Sequence, residues 1–350
     1  MPKRHLSETL KWSGSRPDWP HAIAAALAMT VPVAVGHATG HLEEGLAASV
    51  GGLMIGGLGT LASVREQAID IALAVAAAAA AMLAALDLAA FAAGRITLVL
   101  VAFAAALAGG FSMAAAIAST RFVLFLMIAI GMMEGGGDPW ALALMVAAGA
   151  AWSALVNLAI GASVRRRGGP QEPKKTPPHT FAQLKARWTR TLRTLAGWQY
   201  ALRLGACLAV AVALKAAWPD HHLNWIAIAV VLLTERSIEA FPVKITQRAL
   251  GTMLGVIVTE VLEVSGIAAA APAPVIAALA LARPLLRANN YLAYTVVTTP
   301  LILVILEAGK SQGASLLADR LVATLAGAAL VLAANALMRR AIAAGEDRAR

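Results

Sequence analysis

Residues 67–86 read QAIDIALAVAAAAAAMLAAL, a run whose single charge is Asp70. A helix needs about 20 apolar residues to cross the hydrocarbon core of a bilayer, and this stretch has that length and character. Its Ala/Leu/Val runs lack period-two alternation, so it is read as a spanning helix and not as a strand of a membrane barrel. Stretches of the same kind recur on both sides. Spans are predicted at Pro20–Ala38, Glu44–Ser63, Gln67–Leu86, Leu88–Gly109, Met113–Met133 and Trp140–Ser163. A second set follows at Gly197–Trp218, Leu223–Ser237, Lys244–Leu262, Val264–Ala282, Ala288–Leu306 and Ser315–Met338.

Composition agrees with that reading. Of the 350 residues, 59% are hydrophobic and 14% charged, and the mean hydropathy is +0.73. A soluble chain carries about a quarter of its residues as charges, so lipid is the solvent expected for most of this surface. The net charge of +10 would suggest nucleic acid in a soluble protein. Here the cations sit at span ends and in one linker, the distribution that orients a membrane protein. Cys207, the one cysteine, lies in an apolar run, so no disulfide framework is implied. The first residues are basic (Lys3, Arg4, Lys11, Arg16), and the apolar run after them lacks a cleavage site, so it is read as a retained first helix.

The expected architecture is all-α: a polytopic membrane protein of about 12 transmembrane helices in two six-helix repeats. The divisions are a cytoplasmic N-terminal segment 1–19, a first repeat 20–163, a basic cytoplasmic linker 164–196, a second repeat 197–340 and a cytoplasmic tail 341–350. The linker opens with Arg165-Arg166-Arg167 and passes Pro177-Pro178. Its part Thr180–Ala196 has helical spacing, with Leu184, Trp188, Leu192 and Leu195 apolar and Lys185, Arg187, Arg190 and Arg193 basic. That pattern suits a helix lying on a membrane surface. Placing both termini and the linker on one side also collects Arg65, Lys244, Arg283, Arg287, Arg339 and Arg340 there. The opposite loops hold Glu43, Glu44, Asp87, Glu134, Asp138, Asp220 and Glu263. The basic side is then cytoplasmic, and the setting expected is a bacterial inner membrane.

Two levels of repetition follow. Gly149-Ala150-Ala151 leads to Asn157 and Gly327-Ala328-Ala329 to Asn335, at the same spacing near the end of each half. Inside the second half, Asn224-Trp225-Ile226-Ala227 corresponds to Asn290-Tyr291-Leu292-Ala293. Each is followed by Arg-x3-Thr-x2-Gly: Arg248, Thr252, Gly255 and then Arg320, Thr324, Gly327. Positions i, i+4 and i+7 share one helix face, so each triplet is a polar stripe. The copies lie three predicted helices apart, with two between them, which gives them opposite directions, as in inverted-repeat transporters.

These stripes head the candidate substrate path. Small residues at Gly251 and Gly255 also serve close helix packing, and Thr hydroxyls in lipid often bond their own helix. Arginine differs, because its charge costs about 3 kcal/mol at the bilayer centre. Arg203, Arg121 and Arg95 fall inside spans or serve as interfacial anchors. Several intramembrane cations with few carboxylates favour an anionic passenger. Thr298-Thr299-Pro300 lies mid-span, where Pro300 leaves the Val296 carbonyl without its donor; Thr30-Val31-Pro32 repeats the device. Tyr291, Tyr294 and Trp225 either stack an aromatic substrate or anchor the interface. Among Glu235, Glu239, Asp319, Glu260 and Asp70, Glu235 reaches furthest into the membrane and is the candidate for proton coupling. His37 and His41 with Glu43 and Glu44 have ligand spacing but sit at an outer helix end, so no metal is assigned. No nucleotide loop, zinc-protease motif or catalytic triad is present, which argues against an enzyme, and no cofactor is expected.

The run from Trp225 through Glu235 to Gln247-Arg248-Ala249-Leu250-Gly251-Thr252 and Gly255, with Tyr291, Thr299-Pro300 and Arg320-x3-Thr324-x2-Gly327, resembles the fusaric acid resistance protein-like (FUSC) family over about residues 198–340. That family stands with the aromatic acid exporters and is distantly similar to plant aluminium-activated malate transporters. The resemblance implies efflux or conduction of organic anions, often aromatic carboxylates, with the two stripes as family-typical positions. Larger exporters of this kind carry sizeable cytoplasmic domains that have no counterpart here, and the first half lacks the stripe. The expectation is an exporter of organic anions through a cation-lined path in the second half. The rivals are a passive anion channel and a non-conducting assembly subunit packed through faces such as Gly52-x3-Gly56. The expected partners are the lipid bilayer and a small organic anion; self-association stays open, and nucleic acid is not expected.

Overall fold

A computed structural model describes residues 9–55, 63–90, 94–134, 138–167, 180–219, 221, 223–237, 241–307 and 314–349. Regular structure within them is helical: α1 (Trp19–Thr39), α2 (Leu42–Ile55), α3 (Val64–Ala90), α4 (Gly94–Ala108), α5 (Met113–Met133), α6 (Pro139–Arg166) and α7 (Phe181–Thr191). The second half supplies α8 (Leu195–Ala217), α9 (Asn224–Leu233), α10 (Phe241–Val264), α11 (Ile267–Ala270), α12 (Pro272–Arg287), α13 (Tyr291–Glu307) and α14 (Ala314–Ala349). Among the described residues, six helices are long and apolar enough to cross a membrane: α1, α5, α6, α8, most of α3 and Asp319–Ala344 of α14. Helices α4, α9 and α13 are apolar but shorter. Helix α9, at 10 residues, is about 15 Å long. Helix α10 has the length but carries Lys244, Arg248, Glu260 and Glu263.

Helix ends follow local chemistry. Asp18 caps α1 by accepting from the His21 N–H, and α1 stops at Gly40, whose φ of +77° is left-handed. Asp138 and Ser112 cap α6 and α5 in the same way. The span expected at Val264–Ala282 is displaced. Gly266 turns the chain at φ +70°, α11 lasts one turn, and α12 begins at Pro272, a residue suited to a first helical position. The linker helix expected over Thr180–Ala196 is divided, because α7 stops at Thr191 and α8 starts afresh at Leu195. Gly56, Pro177-Pro178, Asp220, His222 and Glu239 lie outside the described residues.

The chain divides into two compact units. The first comprises Met1–Ala79, Gly135–Pro173 and Pro242–Leu317, and the second Ala80–Glu134, Lys174–Phe241 and Ala318–Arg350. Each draws helices from both predicted repeats. In the first unit α1 packs on α2, α6 and α12, α2 packs on α6 and α13, and α12 packs on α13. In the second unit α8 packs on α9 and α4, α9 packs on α5, and α4 packs on α5. Helix α14 joins α8 through the Cys207 Sγ–Leu330 carbonyl contact and the Arg203–Asn335 hydrogen bond. It joins α9 where Gly327 meets Ala229.

Numbering each predicted repeat one to six (α1–α6; then α8, α9, α10, α12, α13, α14) exposes a rule. Both units pair one with two, one with four, one with six, two with five, two with six, and four with five. In both, helices one, two and six come from one half, and helices four and five from the other.

The units are built from close, small-residue crossings. Gly51 and Gly149 let α2 and α6 meet backbone to backbone, and Gly36 and Gly45 do the same for α1 and α2. Ala22, Ala25, Met29, Val33 and Val50 are fully buried around these contacts. Such approach maximises dispersion where lipid supplies no hydrophobic drive between helices.

Candidate functional site

Glycines set the distance between α10 and α13 in the first unit. A Cβ on Gly251 would stand 2.6 Å from Thr295 Cβ, and one on Gly255 would stand 2.6 Å from Thr299 Cβ and 3.0 Å from the Val296 carbonyl oxygen. The register advances together along both helices, so they run parallel. Pro300 has no N–H to give the Val296 carbonyl, and this freed carbonyl is the one that faces Gly255. Helix α1 uses the same arrangement: Pro32 frees the Ala28 carbonyl, against which Gly52 of α2 packs.

The hydroxyls at this crossing differ. Thr295 donates to the Tyr291 carbonyl at 2.9 Å, Thr298 to Tyr294 at 2.6 Å and Thr299 to Thr295 at 2.9 Å. The Thr252 hydroxyl is buried and has no hydrogen-bond partner among the described residues. Thr252, Thr298 and Thr299 are all buried.

A cluster of cations heads the crossing. Arg248 is 7% exposed. Arg283 and Arg287 of α12 lie over the Tyr294 ring at 6.0 and 5.8 Å, and Tyr294 stacks on Tyr291 at 5.5 Å. The Tyr294 hydroxyl is within Coulombic range of all three guanidiniums. Arg283 Nη1 is buried without a partner among the described residues. Glu260 and Glu263 lie near the opposite end of α10, and Glu307 at the opposite end of α13. Among the described residues, no carboxylate pairs with these arginines.

The N-terminal segment is tied across the same end. Gln247 Nε2 donates to the Thr9 carbonyl at 2.9 Å, and Asn290 Nδ2 to the carbonyls of Thr9 and Lys11 at 3.2 and 3.0 Å. Ser13 Oγ donates to the Ala288 carbonyl at 2.6 Å. Arg248 therefore sits close to the helix-end level and well away from the middle of its span.

In the second unit Arg320 is 2% exposed, with its guanidinium 4.8 Å from the Trp225 ring centre. Thr324 is buried, and Gly327 packs where a Cβ would stand 2.7 Å from Ala229 Cβ. Each Arg-x3-Thr-x2-Gly stripe thus packs on the helix that opens with Asn-aromatic, but crosswise: the earlier stripe on the later such helix, and the later stripe on the earlier. The two stripes belong to different units. Arg203, also 2% exposed, donates to Asn335 Oδ1, to Gln199 and to the Glu235 carbonyl, the last at 2.7 Å. It is held by neutral oxygens. Glu235 follows the end of α9 and is half-buried, and Arg121 is half-buried on α5. His41 pairs with Glu44 at 3.2 Å, both well exposed.

Of the sequence candidates, Arg248, Thr252, Gly255, Thr298, Thr299 and Pro300 share one crossing. Arg320, Thr324, Gly327, Arg203, Arg121 and Glu235 lie in the other unit. The roles of Arg283 and Arg287 were not foreseen, since both read as loop cations. A signal was present: positions 283, 287, 291 and 294 keep helical spacing across the α12–α13 corner.

The sequence profile of the family described as fusaric acid resistance protein-like matches residues 206–334. It takes in both stripes, the Pro300 break and the Arg283/Arg287 corner, and it leaves out Arg203 and Arg121. Comparison with curated proteins and with solved structures gives no match.

Proposed function

We propose that this chain carries organic anions across a membrane, exporting carboxylates from the cytoplasm. The observation that carries the reading is the cluster of Arg248, Arg283 and Arg287 around the stacked Tyr291–Tyr294 pair, cations with no carboxylate among the described residues. A buried guanidinium without a carboxylate beside it is costly, and an anionic passenger offsets that cost each time it binds. The tyrosine faces offer a planar surface to a ring, and cation–π contact holds the arginines beside it. Below the cluster, the unpartnered Thr252 hydroxyl and the proline-freed Val296 carbonyl supply polar stations along an otherwise apolar crossing.

In this reading the chain threads the bilayer twelve times, with both termini and the linker on the cytoplasmic side of a bacterial inner membrane. Helices too short to span alone, such as α9, are sheltered by their neighbours, where broken segments are tolerated. The family match to residues 206–334 supports a transport role. Glu235, beside the α9 break, is the group through which protons would couple.

The test is uptake of radiolabelled benzoate and acetate by proteoliposomes holding the pure chain. Arg248→Glu and Arg320→Glu are expected to abolish flux, and unchanged flux in both sinks the assignment. Glu235→Gln should remove any dependence on a pH gradient while leaving exchange. Currents that ignore the gradient in the unaltered chain would instead mark a passive channel.

A further inference from the structure

We infer that the N-terminal segment Thr9–Ser15 is a latch that clamps α10 to α13 and closes the Arg248 end of their crossing. The inference deepens the anion-transport reading of that cluster and rests on it for its functional meaning.

The crossing is shut. A Cβ on Gly251 would press on Thr295 Cβ, and one on Gly255 on Thr299 Cβ, each at 2.6 Å. Space that refuses a methyl group cannot pass a carboxylate. For an anion to reach the Thr252 hydroxyl, α10 and α13 must part, beginning at the arginine end. Pro300 gives α13 a place to bend, because the backbone ladder is already broken at the Val296 carbonyl. Residues 291–299 are the part that swings.

The segment ties those two ends together. One oxygen, the Thr9 carbonyl, accepts from Gln247 Nε2 of α10 at 2.9 Å and from Asn290 Nδ2, at the start of α13, at 3.2 Å. Gln247 adjoins Arg248, and Asn290 adjoins Tyr291. The Lys11 carbonyl accepts from Asn290 Nδ2 as well, at 3.0 Å. Further along, the Ser13 N–H donates to the Asn289 carbonyl at 3.0 Å, and the Ser13 and Ser15 hydroxyls donate to the Ala288 carbonyl at 2.6 and 2.9 Å. Thr9, Gln247 and Asn290 are buried. Parting α10 from α13 breaks at least one bond to Thr9 and strands a buried amide, which holds the pair closed.

The contact is also suited to release. Residues 11–18 lie outside any helix and are exposed, so water can replace their bonds at little net cost. The second unit offers a contrast. There α7, which precedes α8 as this segment precedes α1, meets the α4–α5 corner through rings: Trp188 lies edge-on to Phe111 at 5.9 Å, and Phe181 lies 5.4 Å from Phe111. The first unit carries the detachable form. Burial deepens in step, with Arg287 exposed, Arg283 half-buried and Arg248 7% exposed. An anion met first by Arg287 reaches Arg248 and the crossing when the clamp opens.

Arginine labelling by phenylglyoxal, mapped by mass spectrometry on the full chain in detergent, tests the latch without relying on transport. Gln247→Met combined with Asn290→Ser removes the amide donors, while Ser keeps an oxygen to cap α13. Arg248 should label at least threefold faster in that variant, with Arg203 of the other unit unchanged, and benzoate flux in proteoliposomes should at least double. Ser13→Cys combined with Ala288→Cys locks the segment down on oxidation. Labelling of Arg248 and flux should then fall severalfold, and dithiothreitol should restore both. Labelling of Arg248 that ignores both release and locking overturns the latch, and so does a rise at Arg203 equal to that at Arg248, which marks general loosening. Labelling that follows the latch while no form of the chain moves benzoate upholds the latch and sinks the transport reading.

Discussion

Thr252 stands apart from its neighbours at the scale of one side chain. The hydroxyls of Thr295, Thr298 and Thr299 fold back on their own helix, while that of Thr252 is buried with no partner among the described residues. Replacing an unpaired buried hydroxyl by a methyl of the same shape removes a desolvated polar group and breaks no hydrogen bond. Thr252→Val should accordingly leave thermal stability unchanged or raise it slightly, while lowering benzoate flux severalfold. A loss of stability equal to the loss of flux would reduce Thr252 to a packing residue.

Gly255 makes the opposite prediction. Its Cβ would press on Thr299 Cβ at 2.6 Å and on the Val296 carbonyl, and neither can move without displacing α13. Gly255→Ala should cost about 1–3 kcal/mol by overpacking, read as a lowered unfolding temperature in detergent. Gly131, which has open space around it, should accept Ala without such a loss.

Pro300 matters as part of α13. It frees a carbonyl that the neighbouring helix then uses, so Pro300→Ala would return Val296 to the ordinary ladder and straighten α13. The expected outcome is a chain at least as stable but slower in flux, measured by thermal unfolding beside proteoliposome uptake. Helix α7 tests capping. Thr180 and Gln183 form a reciprocal capping box, and α7 buries no residue of its own. Thr180→Ala should cost this helix about 1 kcal/mol, seen as faster amide exchange confined to residues 181–191.

Elements were legible wherever local signals agreed. Met113–Met133 was bounded correctly because Ser112 caps one end and polar Glu134 closes the other. The Val264–Ala282 span was misplaced because hydropathy ignores backbone geometry: Gly266 and Pro272 break a run that is apolar throughout. Tyr294 read as a belt residue or a stacking surface. Its partnership with Arg283 and Arg287 arises from packing α12 on α13, which no local window reports.

Interleaving is the property of the whole molecule that motif spacing did not reveal. Gly149…Asn157 and Gly327…Asn335 predict two repeats, and both asparagines are buried, at 3% and 2% exposure. Asn157 passes its carbonyl to Gln67 at 2.8 Å, and Asn335 receives Arg203. Yet neither repeat is a packing unit. Helix α1 packs against α12 and α2 against α13, both from the other half, and α8 and α9 depend likewise on α4 and α5. A half expressed alone would leave the contacting faces in lipid, losing the dispersion and interhelical hydrogen bonds that hold membrane helices together. Residues 1–173 and 174–350 made separately should therefore each be degraded or aggregate. Made together in one cell they should assemble, co-purify and unfold as a complex, because every pairing found in the two units can still form. Size-exclusion chromatography of the separate and co-expressed halves checks this. A first half that purifies alone as a monodisperse, heat-resistant species would mean that α12 and α13 are not needed to complete its unit.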